Sequence, residues 1–79
     1  MTISKLNEPF STGMKVIIAE KGLKQGRVAQ KAGFTPQEFS DMLNGRRLIK
    51  ACEIPRIAEA FGVSVNDVYL AGWNREGER

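Results

Sequence analysis

The chain has 79 residues, of which 42% are hydrophobic and 27% are charged, and its formal net charge is +3. This composition is typical of one small soluble domain, and the apolar runs are too short to span a membrane. The sequence contains no histidine and a single cysteine, Cys52. An internal disulfide, a Cys-rich zinc site and histidine-based catalysis are therefore excluded, and we expect no enzyme, no metal and no cofactor.

Residues 1–10 lack a clear periodicity and are interrupted by Pro9, so we predict a flexible N-terminal arm without the apolar segment of a signal peptide. The first helix is predicted from about Thr12 to Lys21, with Ser11 as its N-cap. Three apolar residues at helical spacing form its core face: Met14, Ile17 and Ile18.

Residues 23–47 have the pattern of two short helices joined by a tight turn. The first is predicted from about Gln25 to Lys31, a turn follows at Gly33, and the second runs from about Thr35 to Asn44. The tetrapeptide Thr35-Pro36-Gln37-Glu38 matches a capping box with proline at the first helical position. A short helix, a glycine turn and a well-capped second helix are typical of a helix-turn-helix.

The positive charge of the chain is concentrated around this motif. Residues 24–50 hold six basic and two acidic residues, a net charge of +4, whereas residues 1–23 carry +1 and residues 51–79 carry −2. A basic segment is expected where a protein faces phosphates. An ordinary solvated basic face would give the same distribution.

The third helix is predicted to have two chemically different sides. Phe39, Met42 and Leu43 share the side that faces the core. The opposite side carries polar and small residues: Gln37, Asp41 and Asn44, flanked by Pro36 and Ser40. Glutamine can pair with adenine and a carboxylate can accept from cytosine, so this side could read base edges. From these residues alone, a solvated surface remains an equal alternative.

Two further helices are predicted in the C-terminal part of the chain. The fourth runs from about Cys52 to Phe61, with Pro55 tolerated in its first turn. The fifth begins after Ser64 and ends near Ala71-Gly72. Residues 73–79 are predicted to form a polar tail, in which Trp73 folds back or joins a partner.

From about Met14 to Leu70 the sequence resembles the Cro/CI-type helix-turn-helix family, also called lambda-repressor-like or XRE. The segments that carry the resemblance are Gly22-Leu23-Lys24-Gln25, Val28-Ala29, Ala32-Gly33, Thr35-Pro36, Phe39, Asn44-Gly45-Arg46 and residues 57–65. The resemblance implies an all-α, compact five-helix DNA-binding domain over residues 11–72. In such a domain, the third helix enters the major groove of double-stranded DNA.

The resemblance also implies which residues contact DNA. The positions that face bases are Pro36, Gln37, Ser40 and Asp41. The positions that hold the phosphate backbone are Gln25, Asn44, Arg46 and Arg47, to which we add the basic residues Arg27 and Lys50 of the same segment. Ile18 and Leu43 stand where many relatives have an ion pair, and we expect these two side chains to touch.

We expect a cytoplasmic, nucleoid-associated transcriptional regulator, most simply a repressor that binds an inverted-repeat operator as a homodimer. The expected dimer surface consists of Tyr69, Leu70 and Trp73. An antitoxin-type module, whose main role is to bind a protein partner, is the first alternative. A protein-interaction domain on the same fold is the second, because a fold does not fix a function.

Overall fold

The computed structural model describes residues 9–77, with side chains to Trp73, and this part of the chain contains five helices and no strand. They are α1 (Phe10–Lys21), α2 (Gln25–Ala32), α3 (Pro36–Leu43), α4 (Ile54–Phe61) and α5 (Val65–Gly77). The all-α prediction is therefore confirmed. Within the described residues, no helix combines the length and apolar character needed to cross a bilayer. Most of the predicted N-terminal arm, residues 1–8, lies outside the described residues.

The first helix begins earlier than predicted. Pro9 is its N-cap, and the Pro9 carbonyl accepts a hydrogen bond from the Gly13 N–H at 2.9 Å. The predicted cap, Ser11, is instead a buried residue inside the helix. The reason is tertiary packing, because Phe10 is buried in the core and its ring lies 5.0 Å from that of Tyr69 on α5.

The last two helices also differ from their predicted bounds. Residues 51–53 form a turn, so α4 starts at Ile54 and not at Cys52. The predicted end of the fifth helix near Ala71-Gly72 was wrong, since α5 continues to Gly77. Gly72 does not stop this helix because it is buried against α1, where the missing Cβ lets the two backbones approach closely.

One core joins all five helices. Its largest fully buried side chains come from α1, α3, α4 and α5, and they include Met14, Phe39, Met42, Ile57 and Val68, whereas α2 contributes the fully buried Ala29. The predicted meeting of α1 and α3 agrees with this packing, because Leu43 is buried and the half-buried Ile18 packs against the same core. Direct contact between Ile18 and Leu43 stays a prediction.

Candidate nucleic-acid interface

Helix α3 is anchored by its inner side and by its N-terminus. Phe39, Met42 and Leu43 are buried, as predicted from their spacing. The predicted capping box is confirmed: the Glu38 N–H donates to Thr35 Oγ1 at 3.1 Å, and the Thr35 N–H donates to Glu38 Oε1 at 2.8 Å. The backbone hydrogen bond from Thr35 is the main reason why the pKa of Glu38 lies below its ordinary value. The helix therefore has a fixed start and a fixed rotation about its axis.

The turn before α3 is held by an arginine from a distant helix. Gly33 ends α2 with a φ of +86°, a conformation that favours glycine. Arg56 of α4 donates from Nη2 to the Ala32 carbonyl at 2.7 Å and from Nε to the same oxygen at 3.1 Å. Its guanidinium also lies 4.6 Å from the centre of the Phe34 ring. Sequence reasoning missed Arg56, because no local pattern reports a contact across 24 positions.

The outer side of α3 carries a connected polar surface. Gln37 is exposed, and its Nε2 donates to Asp41 Oδ1 at 3.0 Å. The same oxygen accepts from Arg46 Nε, also at 3.0 Å. One turn further on, Asn44 Nδ2 donates to the Ser40 carbonyl at 2.8 Å. The structure therefore brings Gln37, Asp41 and Arg46 together in one network, which we call the Asp41 network.

Arg47 is directed to partners inside the protein. Its Nη2 donates to Glu53 Oε2 at 3.2 Å, and its Nη1 lies 3.6 Å from Glu38 Oε2. Nη1 is buried and has no hydrogen-bond partner among the described residues, because its separation from Glu38 is too long for a hydrogen bond and fits an ion pair only. The Glu53 side chain is 7% exposed, and its Oε1 also accepts from the Lys50 N–H at 2.9 Å. Arg47 thus neutralises a buried carboxylate, a role that the sequence did not predict.

Other basic side chains of the motif remain available to an external anion. Lys24, Arg27, Lys31 and Lys50 are exposed, and within the described residues none of their charged groups has an ion-pair partner. Gln25 is the exposed first residue of α2, and the preceding Lys24 makes no side-chain cap. No side chain of the described residues therefore caps the first N–H groups of α2, and these groups can meet a phosphate.

A separate apolar surface lies at the start of α1 and on α5. It consists of Pro9, Tyr69, Leu70 and Trp73, and we call it the α5 patch. These residues line a shallow groove of about 320 Å³, and Trp73 has 67% of its surface exposed.

In the described part of the chain, no three acidic or cysteine side chains come together in a way that could hold a metal ion.

Two short helices joined by a glycine turn, with the second fixed by a capping box and presenting a polar face, define a helix-turn-helix, a DNA-binding motif. The comparison with family models agrees: the chain belongs to the family described as "Helix-turn-helix domain", whose model matches residues 19–70. The helix-turn-helix class predicted from the sequence is thereby confirmed. No curated protein sequence matches the chain.

Two solved structures of the clp gene regulator ClgR from Corynebacterium glutamicum have the same fold. One is 23% identical, with a TM-score of 0.79, and the match covers 89% of this chain and 91% of that one. The other is 22% identical, with a TM-score of 0.80, and the match covers 91% of this chain and 77% of that one. At these identities, the similarity establishes the five-helix architecture.

Proposed function

We propose that this chain is a sequence-specific DNA-binding transcriptional regulator, and that it represses by occupying an inverted-repeat operator as a homodimer. The observation that carries the proposal is α3 itself, which is rigidly anchored on one side and presents Gln37, Ser40 and Asp41 on the other. The structural similarity to ClgR, a clp gene regulator, supports a regulatory role.

The proposed reading surface is the outer side of α3. Gln37 supplies an amide that can pair with adenine, and Ser40 supplies a hydroxyl that suits several base edges. Pro36 has no polar group, so it offers only an apolar contact to a thymine methyl. Asp41 belongs to the same surface. Specificity therefore depends mainly on Gln37, together with Ser40 and Asp41 beside it.

The proposed phosphate ligands flank this surface along the chain. Gln25 and Arg27 lie in the first turn of α2, whereas Asn44, Arg46 and Lys50 follow α3. Their contacts would set the register of α3 on the duplex without reading sequence. We leave Arg47 out of this set because it is bound to Glu53 and Glu38.

Repression follows from occupancy. A dimer places two copies of α3 in successive major grooves, roughly 34 Å apart, on a two-fold symmetric site. Such a complex excludes polymerase from an overlapping promoter and needs no catalysis. The α5 patch is the proposed dimer surface, because Tyr69, Leu70 and Trp73 are the exposed large apolar side chains of one helix.

A salt titration with a random-sequence duplex tests the DNA-binding part of this proposal. Each phosphate neutralised releases counterions, so the logarithm of affinity should fall linearly with the logarithm of salt, by about 0.9 per contact. Selection of bound sites from a random duplex pool then tests specificity and symmetry. Affinity that does not depend on salt would favour a pure protein-interaction domain, and selected sites without an inverted repeat would exclude the dimeric repressor.

The exposed Trp73 also favours a second function, that of an antitoxin-type module. The same α5 patch would then bind a different protein, and DNA binding would be secondary. The mass of the isolated protein in solution separates the two functions. A stable homodimer supports the repressor, whereas a monomer that binds duplex only weakly supports the antitoxin-type role.

A further inference from the structure

Asp41 occupies the centre of the surface that we propose to read DNA. Its Oδ1 accepts from Gln37 Nε2 and from Arg46 Nε, each at 3.0 Å. Its backbone carbonyl accepts from the N–H groups of Arg46 at 2.8 Å and Arg47 at 3.2 Å. One residue therefore holds the proposed base reader, the proposed phosphate ligand and the loop between them.

The bond to Asp41 fixes which way the Gln37 amide points. An ionised carboxylate can only accept hydrogen bonds, so the NH₂ group of Gln37, and not its carbonyl, must face Asp41. The carbonyl Oε1 and the second N–H of the amide are not used in this bond and remain for a base. Adenine presents one donor and one acceptor to such an amide. Because an amide held in one orientation offers its donor and acceptor in one order, it distinguishes a base pair from its reverse.

The same carboxylate orients Arg46. Nε is used by Asp41, so the two terminal nitrogens of the guanidinium remain for a phosphate. The Arg46 side chain is 60% exposed and that of Asp41 is 28% exposed, which leaves the fork open to solvent and its anchor partly covered. The position of a phosphate contact and the orientation of a base contact are thus tied to one oxygen.

We infer that Asp41 is a positioning residue for sequence recognition: it fixes the Gln37 amide in one orientation and couples it to Arg46, and does not itself contact a base. This inference rests on the proposed function. It gives Asp41 a role different from the direct base contact that the resemblance implied, and the two roles predict different results.

The experiment uses the full chain and a pool of random-sequence duplexes. Sites are selected with the wild type, and binding is then measured to the selected duplex, to each of its single base-pair variants and to random duplex. The variants are Gln37→Ala, Asp41→Asn and their combination. Asparagine has the shape of aspartate but can donate as well as accept, so it no longer forces the NH₂ group of Gln37 to face it. Glu20→Gln is the matched control, since Glu20 is an exposed acid on α1 without a partner in the described residues.

We expect Asp41→Asn to lower the discrimination between bases about tenfold at one base pair of the site. This should be the same base pair at which Gln37→Ala removes the preference. Its affinity for random duplex should stay equal or rise, because one negative charge is lost. In the Gln37→Ala background, Asp41→Asn should have no further effect on that preference, since residues that act as a unit are not additive. Glu20→Gln should retain the wild-type preference.

Three results would overturn the inference without contradicting the proposed DNA binding of the wild type. The first is an Asp41→Asn variant that keeps the full preference. The second is a loss at a different base pair that adds to that of Gln37→Ala, which would show that Asp41 reads a base directly. The third is an equal loss on selected and random duplexes, which would show a merely structural role. If the wild type shows no salt-dependent binding to any duplex, the proposed function and the inference both fall.

Discussion

Arg46 and Arg47 are adjacent in the sequence and have the same charge, but their surroundings differ. Arg46 is mostly exposed and pairs with Asp41, whereas Arg47 is largely covered and pairs with the buried Glu53. The Arg47 guanidinium also lies 5.5 Å from the Phe34 ring centre. A surface ion pair contributes little to stability, but removal of one partner of a buried pair leaves an uncompensated charge.

We therefore predict that the same substitution has different effects at the two positions. Arg47→Ala should lower the free energy of unfolding by about 2–3 kcal/mol, somewhat less than for a fully buried pair. Arg46→Ala should change the free energy of unfolding by about 0.5 kcal/mol or less. It should, however, lower the salt slope of DNA binding by about 1, the value of one phosphate contact. Urea unfolding and a salt titration measure the two quantities. Equal effects of the two variants in both assays would contradict this division of roles.

Glu38 makes the stability of α3 dependent on pH. Its pKa is lowered first by the backbone hydrogen bond from Thr35 and further by the Thr35 hydroxyl, Arg47 and Arg56, against the opposing effect of burial. A carboxyl group whose pKa is lower in the folded state stabilises the fold above its unfolded pKa. That contribution is lost as the pH falls through the folded value.

We predict that Glu38→Gln removes this part of the acid sensitivity. Glutamine can keep the geometry of the capping box but carries no charge. The wild type should be more stable than the variant at neutral pH, and the difference should shrink once the pH falls below the ordinary pKa of 4.5. Urea unfolding at several pH values measures this difference. A difference that is constant across the acid range would show that the charge of Glu38 is irrelevant.

At the scale of elements, α1 and α5 meet through a pair of glycines. A Cβ added to Gly13 would collide with the Val68 carbonyl, and one added to Gly72 would collide with the Pro9 carbonyl. In both cases the obstacle is backbone, which cannot move aside as a flexible side chain can. The close approach of these two helices therefore requires glycine at both positions.

We predict that Gly13→Ala destabilises the fold by about 1–3 kcal/mol, because the two helices must separate. Gly26→Ala is the matched control, since Gly26 lies in α2 and a Cβ added there would meet open space. There alanine should stabilise by about 0.5–1 kcal/mol through its better helix propensity. Thermal unfolding of the two variants provides the test. A Gly13→Ala variant as stable as the wild type would show that α1 and α5 do not pack this closely.

The same elements show what the sequence could predict and what it could not. The capping box at Thr35 and the turn at Gly33 depend on residues three or four positions apart, so local patterns predicted both. The bond from Arg56 to Ala32 and the burial of Gly72 against Gly13 join distant segments, and no local signal reports them. Gly72 misled the prediction for α5, because glycine usually ends a helix and here its tertiary contact overrides that preference.

The candidate site was predictable in part for the same reason. Helical spacing placed Gln37 and Asp41 opposite Phe39 and Met42, and the structure has them there. The pattern did not show that Asp41 binds Gln37 and Arg46 at once, nor that Arg47 turns inward. Both depend on the path of the loop after α3, where the N–H groups of Arg46 and Arg47 bond to the Asp41 carbonyl.

At the scale of the whole molecule, the proposed function requires two copies of the chain. One domain of 79 residues offers a single α3, and one half-site supplies few contacts. Joining two domains makes the second contact intramolecular and raises affinity by a large factor without a new interaction. The α5 patch suits this purpose, since a C₂ dimer needs one self-complementary apolar surface.

We predict that Trp73→Ala converts a dimer into a monomer, because Trp73 is the most exposed large apolar side chain in the described residues. Sedimentation equilibrium measures the mass, and Leu48→Ala is the control, since Leu48 is an exposed apolar residue outside the patch. The variant should bind a full inverted repeat about 100-fold more weakly than the wild type, but a single half-site equally well. Equal losses on both sites would mean that Trp73 supports the fold of the monomer. A Trp73→Ala protein that remains dimeric would place the dimer interface elsewhere on the molecule.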